Sequence, residues 1–209
     1  METAWSVFYG AVGTLGMLHG IADAFQIPYD QKMIFIWIVL SSVIWGIAFG
    51  WKRHRKYLFP AAVGLFVWIG LWRWKEICEG ICRSMERMTE AINAYYQFSW
   101  DTVQYVKTGG ISTEQTAILV AGVFVSGLLV GGFLQKKGRI LLAVLFAFGF
   151  LAPFLVGKVP ENRTVWELLI GIMGLLAMQT ALPGKQRKIK FFGTANGMLI
   201  GIAALAFVG

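Results

Sequence analysis

Seven apolar runs, at residues 4–22, 33–51, 57–72, 115–134, 140–157, 165–182 and 191–209, take up most of this chain. A helix needs roughly 20 apolar residues to cross a hydrocarbon core about 30 Å thick, and most of these runs come close. Backbone in lipid must satisfy its own N–H and C=O groups, so such runs enter a bilayer as helices. The expectation is an all-α membrane protein, a polytopic bundle of about seven transmembrane helices forming a single domain over residues 1–209. Composition points the same way: at 57% hydrophobic and 14% charged, with mean hydropathy +0.63, the chain lacks the polar surface of a soluble domain. The third run is short, and Trp68, Trp72 and Trp74 extend it into the interface. Pro60 falls in that run's first turn, where a missing N–H costs little, whereas Pro153 predicts a kink in the fifth. No basic residue precedes the first run and no clear cleavage site follows it, so it is expected to remain as a span.

The charges between the runs orient them. Lys52, Arg53, Arg55 and Lys56 fill the second connection, Lys136, Lys137 and Arg139 the fourth, and Lys185, Arg187, Lys188 and Lys190 the sixth. Those alternate loops hold 11 of the 19 lysines and arginines. The first connection carries Asp23, Asp30 and Lys32, and the fifth Lys158, Glu161 and Arg163, so both are mixed in sign. By the positive-inside rule the basic clusters face the cytoplasm. The amino terminus is then inside, and residues 73–112 and the carboxyl terminus are extracellular. A net charge of +8 split into short clusters is a topology signal and not a nucleic-acid groove. The expected partner is the lipid bilayer, with no nucleic acid. The seventh run stops at Gly209 without a polar flank, and the expectation is a longer protein whose continuation lies outside.

Residues 73–112 are the one long polar interruption. Ile77, Ile81, Met85, Met88, Ile92 and Tyr95 recur at helical spacing, while Glu79, Arg83, Glu86, Arg87 and Glu90 fall largely on the opposite face. Tyr95, Tyr96, Phe98 and Trp100 follow. The pattern predicts an extracellular amphipathic helix, lying on the bilayer surface or packed across the tops of the spans. Such a helix is first of all a structural lid. Cys78 and Cys82 lie four apart on it, too few for a disulfide framework or a cysteine zinc site, and are expected to pack as small apolar side chains.

Small residues mark where helices can approach. Gly193, Gly197 and Gly201 make two overlapping GxxxG motifs, and Ala204 continues their face. Gly10, Gly13, Gly16 and Gly20 form a comparable stripe in the first run, Gly127 and Gly131 in the fourth, and Gly171 and Gly174 in the sixth. In lipid, close backbone approach holds helices together. Internal packing of one bundle explains these stripes, and so does a homo-oligomer or a docked partner helix.

Candidate chemistry is sparse. Polar residues in spans are costly and raise a functional hypothesis by default. His19 and Asp23 are one turn apart near the outer end of the first run, where imidazole and carboxylate can pair. Arg73, Glu114 and Glu167 belong to the same outer boundary, and the five form a possible outer-face polar cluster. No charged residue sits at mid-depth, which argues against an ion-coupled transporter. Ser126 is central in the fourth run, but His19 and His54 lie elsewhere, so no serine protease constellation forms. No HExxH, GxGxxG or P-loop pattern occurs. No catalytic residue, metal ligand or cofactor is therefore expected in these residues.

One set of features resembles a known family. Asp23 to Pro28 (Asp-Ala-Phe-Gln-Ile-Pro) after a glycine-rich first run, the basic 51–56 loop, and Ile92 to Trp100 (Ile-Asn-Ala-Tyr-Tyr-Gln-Phe-Ser-Trp) resemble the amino-terminal membrane region of bacterial transglutaminase-like membrane proteins, particularly the clostridial type. The resemblance covers nearly the whole chain in span order and loop character. It implies a membrane domain that anchors and positions an extracellular papain-like domain with a Cys-His-Asp triad. Nothing in this sequence matches that triad. A chain of this size with six or seven glycine-rich spans also suits a small transport component, such as the substrate-binding subunit of a vitamin importer, or a membrane assembly protein.

Overall fold

The computed structural model describes residues 2–51, 53–100, 111–135 and 139–180. Their regular structure is entirely helical: α1 Glu2–Ala24, α2 Gln31–Gly50, α3 Arg55–Trp72, α4 Trp74–Tyr96, α5 Ile111–Gln135, α6 Arg139–Leu155 and α7 Asn162–Thr180. Each of the first six apolar runs falls on a helix, and the amphipathic stretch supplies α4. The run at 191–209, with Gly193, Gly197, Gly201 and Ala204, lies outside the described residues.

Helix α1 is the axis of the bundle. It packs against α2, α5, α6 and α7, and glycines let those neighbours come close. A Cβ added at Gly16 would stand 2.9 Å from both Glu167 Cβ and Leu168 N, so α7 is nearly touching the α1 backbone there. Gly13 and Gly171 share the ring of Phe146, Gly10 meets Val130, and Gly174 receives Tyr9. Gly127 and Gly131 of α5 accept Trp45 and Phe49 of α2. The stripes in α1, α5 and α7 are thus used inside the bundle.

Local chemistry explains the turns. Gln26 takes a left-handed φ of 53°, and its amide and that of Ile27 return to the carbonyls of Asp23 and Ala22 at 3.4 and 2.9 Å. That pattern closes the last turn of α1 and brings Ile27 down onto Ala22 in the core. Asp30 then caps α2, accepting from Lys32 N at 2.9 Å and Met33 N at 3.4 Å. At the end of α6, Gly157 adopts φ 66° and the amide of Lys158 bonds Pro153 O at 3.0 Å, the same closure with a glycine at the strained position. Pro153 stands in the last turn of α6, two residues before its end at Leu155. The structure therefore puts this proline at a helix end, where the expected mid-span kink does not arise.

Large apolar side chains cover the outward surface of several helices. Met33, Ile36, Leu40, Val43 and Ile47 form an exposed stripe on α2, joined by Phe124 on α5, Phe148 and Leu151 on α6, and Trp166, Leu169 and Met173 on α7. Two helical stretches, Gln31–Gly50 and Glu114–Gly132, are long and apolar enough to cross a membrane. Helices α3 and α4 pass the same test only as a pair, bent by 80° at Arg73. Helix α1 carries small and buried polar residues, and helices surround it on several sides. Ser6, Thr14 and His19 are all buried in it.

Inside the bundle, some isolated polar groups are satisfied across helices. The Ser41 and Ser126 hydroxyls lie 3.1 Å apart, so one donates to the other while the acceptor of that pair donates to a carbonyl of its own helix, Ile38 O for Ser41 or Val123 O for Ser126. The indole of Trp45 donates to Val123 O at 3.0 Å. Ser126 is therefore a packing residue.

Candidate functional site

Contacts between side chains and loops bring the end of α1, the starts of α2, α5 and α7, and the end of α6 together at one end of the bundle. Four of the five outer-cluster residues named from the sequence meet there, in two separate knots. Arg73 is apart: it sits at the α3–α4 elbow and pairs with Glu76 one turn on, at 2.9 Å and largely exposed.

The first knot is centred on Glu167. His19 is 2% exposed, and its Nδ1 lies 2.7 Å from Glu167 Oε2. Arg163, one turn before Glu167 on α7, donates from Nε to Oε1 at 2.9 Å. With its amide oriented to suit, Gln31 at the start of α2 accepts from the Arg163 guanidinium. The carboxylate is thereby held between an imidazole of α1 and a guanidinium of its own helix. Nδ1 faces the carboxylate and is the ring nitrogen placed to donate to it; Nε2 points away. Nε2 is buried and has no hydrogen-bond partner among the described residues. This is the geometry of a base oriented by a carboxylate, but no Ser, Cys or Thr hydroxyl or thiol is hydrogen-bonded to Nε2.

Asp23 takes a different partner from the one its spacing suggests. Its Oδ1 accepts from the Tyr29 hydroxyl at 2.9 Å, and the Tyr29 ring stacks on His19 with centroids 5.6 Å apart. Rotation along α1 explains this: His19 turns into the bundle toward α7, while Asp23, one turn later, reaches the loop after α1. Burial, reinforced by the Asp23 charge and hydrogen bond, pushes the Tyr29 hydroxyl well above the ordinary tyrosine range. Beside Asp23 lies a cavity of about 120 Å³, lined by polar groups from Asp23, Lys158, Glu161 and Thr164 and by Pro153 and Pro160. Lys158 Nζ also donates to Ala24 O at 3.0 Å, a cation placed on the negative end of α1.

The second knot ties α4 to the bundle. Arg87 Nε bonds Glu114 Oε2 at 2.9 Å, and Arg87 NH1 reaches Gln26 O at 3.3 Å. Met88, Ala91 and Ile92 pack beneath on the core formed by Ile27, Ile34 and Ile118. Tyr95 covers Gly157 at the end of α6. Helix α4 is thus a lid over this end of the bundle. Cys78 and Cys82 are both free thiols, half-buried on it.

Sequence reasoning placed His19, Asp23, Glu114 and Glu167 at one end and missed their partners. Arg163 was readable, standing four residues before Glu167 on one helix. Arg87 with Glu114 and Tyr29 with Asp23 depend on how α4 and the α1–α2 loop fold back. No group of three or more His, Cys, Asp or Glu able to hold a metal forms among the described residues.

Among the described residues, fold and site together define an all-helical protein with two helices long and apolar enough to cross a membrane, or three if the bent pair is one span. Compared with known proteins, the chain matches no family model, no curated protein and no solved structure.

Proposed function

We propose that this chain is a seven-crossing membrane domain that anchors and positions a cell-surface transglutaminase-like activity in a bacterial plasma membrane. One observation supports the anchoring role above the rest: apolar side chains cover the bundle's flanks while the paired groups His19–Glu167 and Arg87–Glu114 gather at one lidded end. A body built this way is held by lipid at its sides and offers one ordered polar surface. In this reading α1, α2, α3, α5, α6, α7 and residues 191–209 each cross the bilayer, and the lidded end is extracellular. The attached activity rests on the resemblance in span order and loop character.

The experiment is thiol labelling of intact cells, in a background with Cys78→Ser and Cys82→Ser. Thr108→Cys is expected to react with a membrane-impermeant maleimide, and Gln186→Cys to react only after lysis. The reverse pattern would overturn the topology. A second arm uses an impermeant thiol-directed substrate analogue on cells making the full-length gene product. Labelling outside residues 1–209 supports the attached enzyme; its absence removes that part of the proposal and leaves the anchor.

A further inference from the structure

The underside of α4 is treated differently along its length. On a wheel of 100° per residue, Trp74, Ile81, Met85, Met88 and Ile92 all fall within about 40° of one line. Toward the carboxyl end this line is covered, because Met88 and Ile92 pack on the bundle core. Toward the amino end it is bare: Trp74 is 60% exposed, Ile81 45% and Met85 62%. The cause is the elbow. The outer half of α3 stands off from the bundle, and a Cβ at Gly64 or Gly70 would meet nothing within 4 Å. Helix α4 starts from that detached end and turns by 80°. Along its first half it meets the bundle by one flank, through Ile77, Gly80 and Ser84, and the line from Trp74 to Met85 beside that flank is left uncovered.

We infer that the lipid of the adjoining leaflet covers this bare line, so the front half of α4 lies in the membrane interface with one flank on the bundle and is not a water-facing lid. Three features of the helix support this occupant. The first is angular. The side facing the bundle (Ile77, Gly80, Ser84), the bare apolar line and the charged side (Glu79, Arg83, Glu86, Glu90) lie about 90° and then about 150° apart on the wheel. A helix lying flat beside a bundle has protein at its flank, acyl chains below and water above, in that order. The second is continuity, since the bare line runs on from the exposed Trp68, Leu71 and Trp72 of α3. The third is the aromatic bracket, with Trp72 and Trp74 at one end of α4 and the stacked Tyr96, Phe98 and Trp100 at the other. Tryptophan and tyrosine favour headgroup level, and a bracket at both ends sets a helix parallel to the surface.

The helix carries three basic residues (Lys75, Arg83, Arg87) against four acidic ones (Glu76, Glu79, Glu86, Glu90). Attraction to anionic headgroups therefore contributes little, and apolar burial drives insertion. The occupant is the acyl–glycerol layer of a zwitterionic phospholipid.

This inference rests on the bundle crossing a membrane, which the labelling experiment above tests separately. Its own test uses the full chain with Cys78→Ser and Cys82→Ser, reconstituted in phosphatidylcholine bilayers. A nitroxide is placed in turn at Ile81→Cys, Met85→Cys, Glu86→Cys and Glu90→Cys, and its relaxation by oxygen and by a water-soluble nickel chelate is compared. The oxygen-to-nickel ratio is expected to be several-fold higher at 81 and 85 than at 86 and 90, and unchanged when anionic lipid is added. Equal nickel access at all four positions would place α4 in water and overturn the inference. Shielding of 81 and 85 from both reagents would mean that protein, such as a second copy, covers the line. Insertion that appears only with anionic lipid would overturn its apolar basis. As an arm free of cysteine changes, brominated phosphatidylcholine is expected to quench less of the total fluorescence in Trp74→Phe than in the unmodified chain; equal quenching would count against insertion.

Discussion

Helices α1 and α4 are both 23 residues long, and they reverse the ordinary relation between pattern and burial. Helix α4 has the clear two-faced pattern, yet part of its apolar face is bare. Helix α1 has almost no two-faced pattern, yet it is buried along most of its length by four neighbours. In water, a hydrophobic stripe marks the side that touches protein. In a bilayer the stripe marks only the side that avoids water, and lipid satisfies it as well as protein does. What identifies the protein-facing sides here is residue size and the rare polar group: Gly10, Gly13, Gly16 and Gly20, Thr14, and above all His19.

The contrast is broken most sharply at Glu167. Glu167→Ala strands a buried imidazole and a half-buried guanidinium at the α1–α7 contact. Arg163 can turn to solvent, but the buried imidazole N–H is left without its acceptor, which costs about 1–3 kcal/mol. The measurement is unfolding of the purified chain in mixed detergent–SDS micelles, followed by helicity. A loss below about 1 kcal/mol, the range of surface pairs, would mean that the α1 axis does not depend on this knot.

The next effect is steric. Gly16→Ala forces its Cβ against the α7 backbone at Leu168 N, which cannot turn aside. Overpacking of this kind costs about 1–3 kcal/mol. Gly64→Ala on α3 meets nothing, and helix propensity alone then stabilises it by about 0.5–1 kcal/mol. The two substitutions should therefore move the same unfolding midpoint in opposite directions. If both destabilise, α3 has neighbours at Gly64 that the bare surface does not reveal.

Much of this arrangement was legible in the sequence, for reasons that can be stated. Helical runs follow from apolar length, and α4 from the spacing of Ile77 through Tyr95. That His19, Asp23, Glu114 and Glu167 share one end follows from counting helices of alternate direction. What could not be read was azimuth. Asp23 was expected to pair with His19 because they are one turn apart, but the loop after α1 delivers Tyr29 to Asp23, and α7 delivers Glu167 to His19. Likewise, spacing placed Ile81 and Met85 on the same apolar face as Ile77, yet only Ile77 is buried. Pattern defines a face about half a turn wide; the bend at Arg73 decides which part of it meets protein.

Tyr29 offers a smaller, pH-dependent test of the α1 end. Its hydroxyl is held protonated by burial and by Asp23, so the folded state keeps that proton above the pH at which a free tyrosine near 10 loses it. A group whose folded pKa is raised contributes stability that is complete below the unfolded value and lost as pH rises beyond it. Stability of the unmodified chain is thus expected to fall above pH 10, by at most about 1.4 kcal/mol per pH unit for one proton. Tyr29→Phe should flatten that slope. An identical slope in the variant would mean that Tyr29 is free to ionise and that its contact with Asp23 is not maintained.

The smallest effect is expected where α3 meets α4. Arg73 and Glu76 are as close as Arg163 and Glu167, 2.9 Å in each case, but both are largely exposed. Exposed pairs are screened and must hold long side chains still, so they contribute about 0–1 kcal/mol. Glu76→Gln keeps shape and removes charge, and the expected change in unfolding free energy is under about 0.5 kcal/mol, within the usual range for surface substitutions. Raising salt from low to high should change little in either chain, since little electrostatic stabilisation is there to be screened. A loss comparable to that of Glu167→Ala would show that the elbow is itself a buried joint. It would then be covered by something other than the headgroup layer, and the difference between the packed axis and the half-bare lid would disappear.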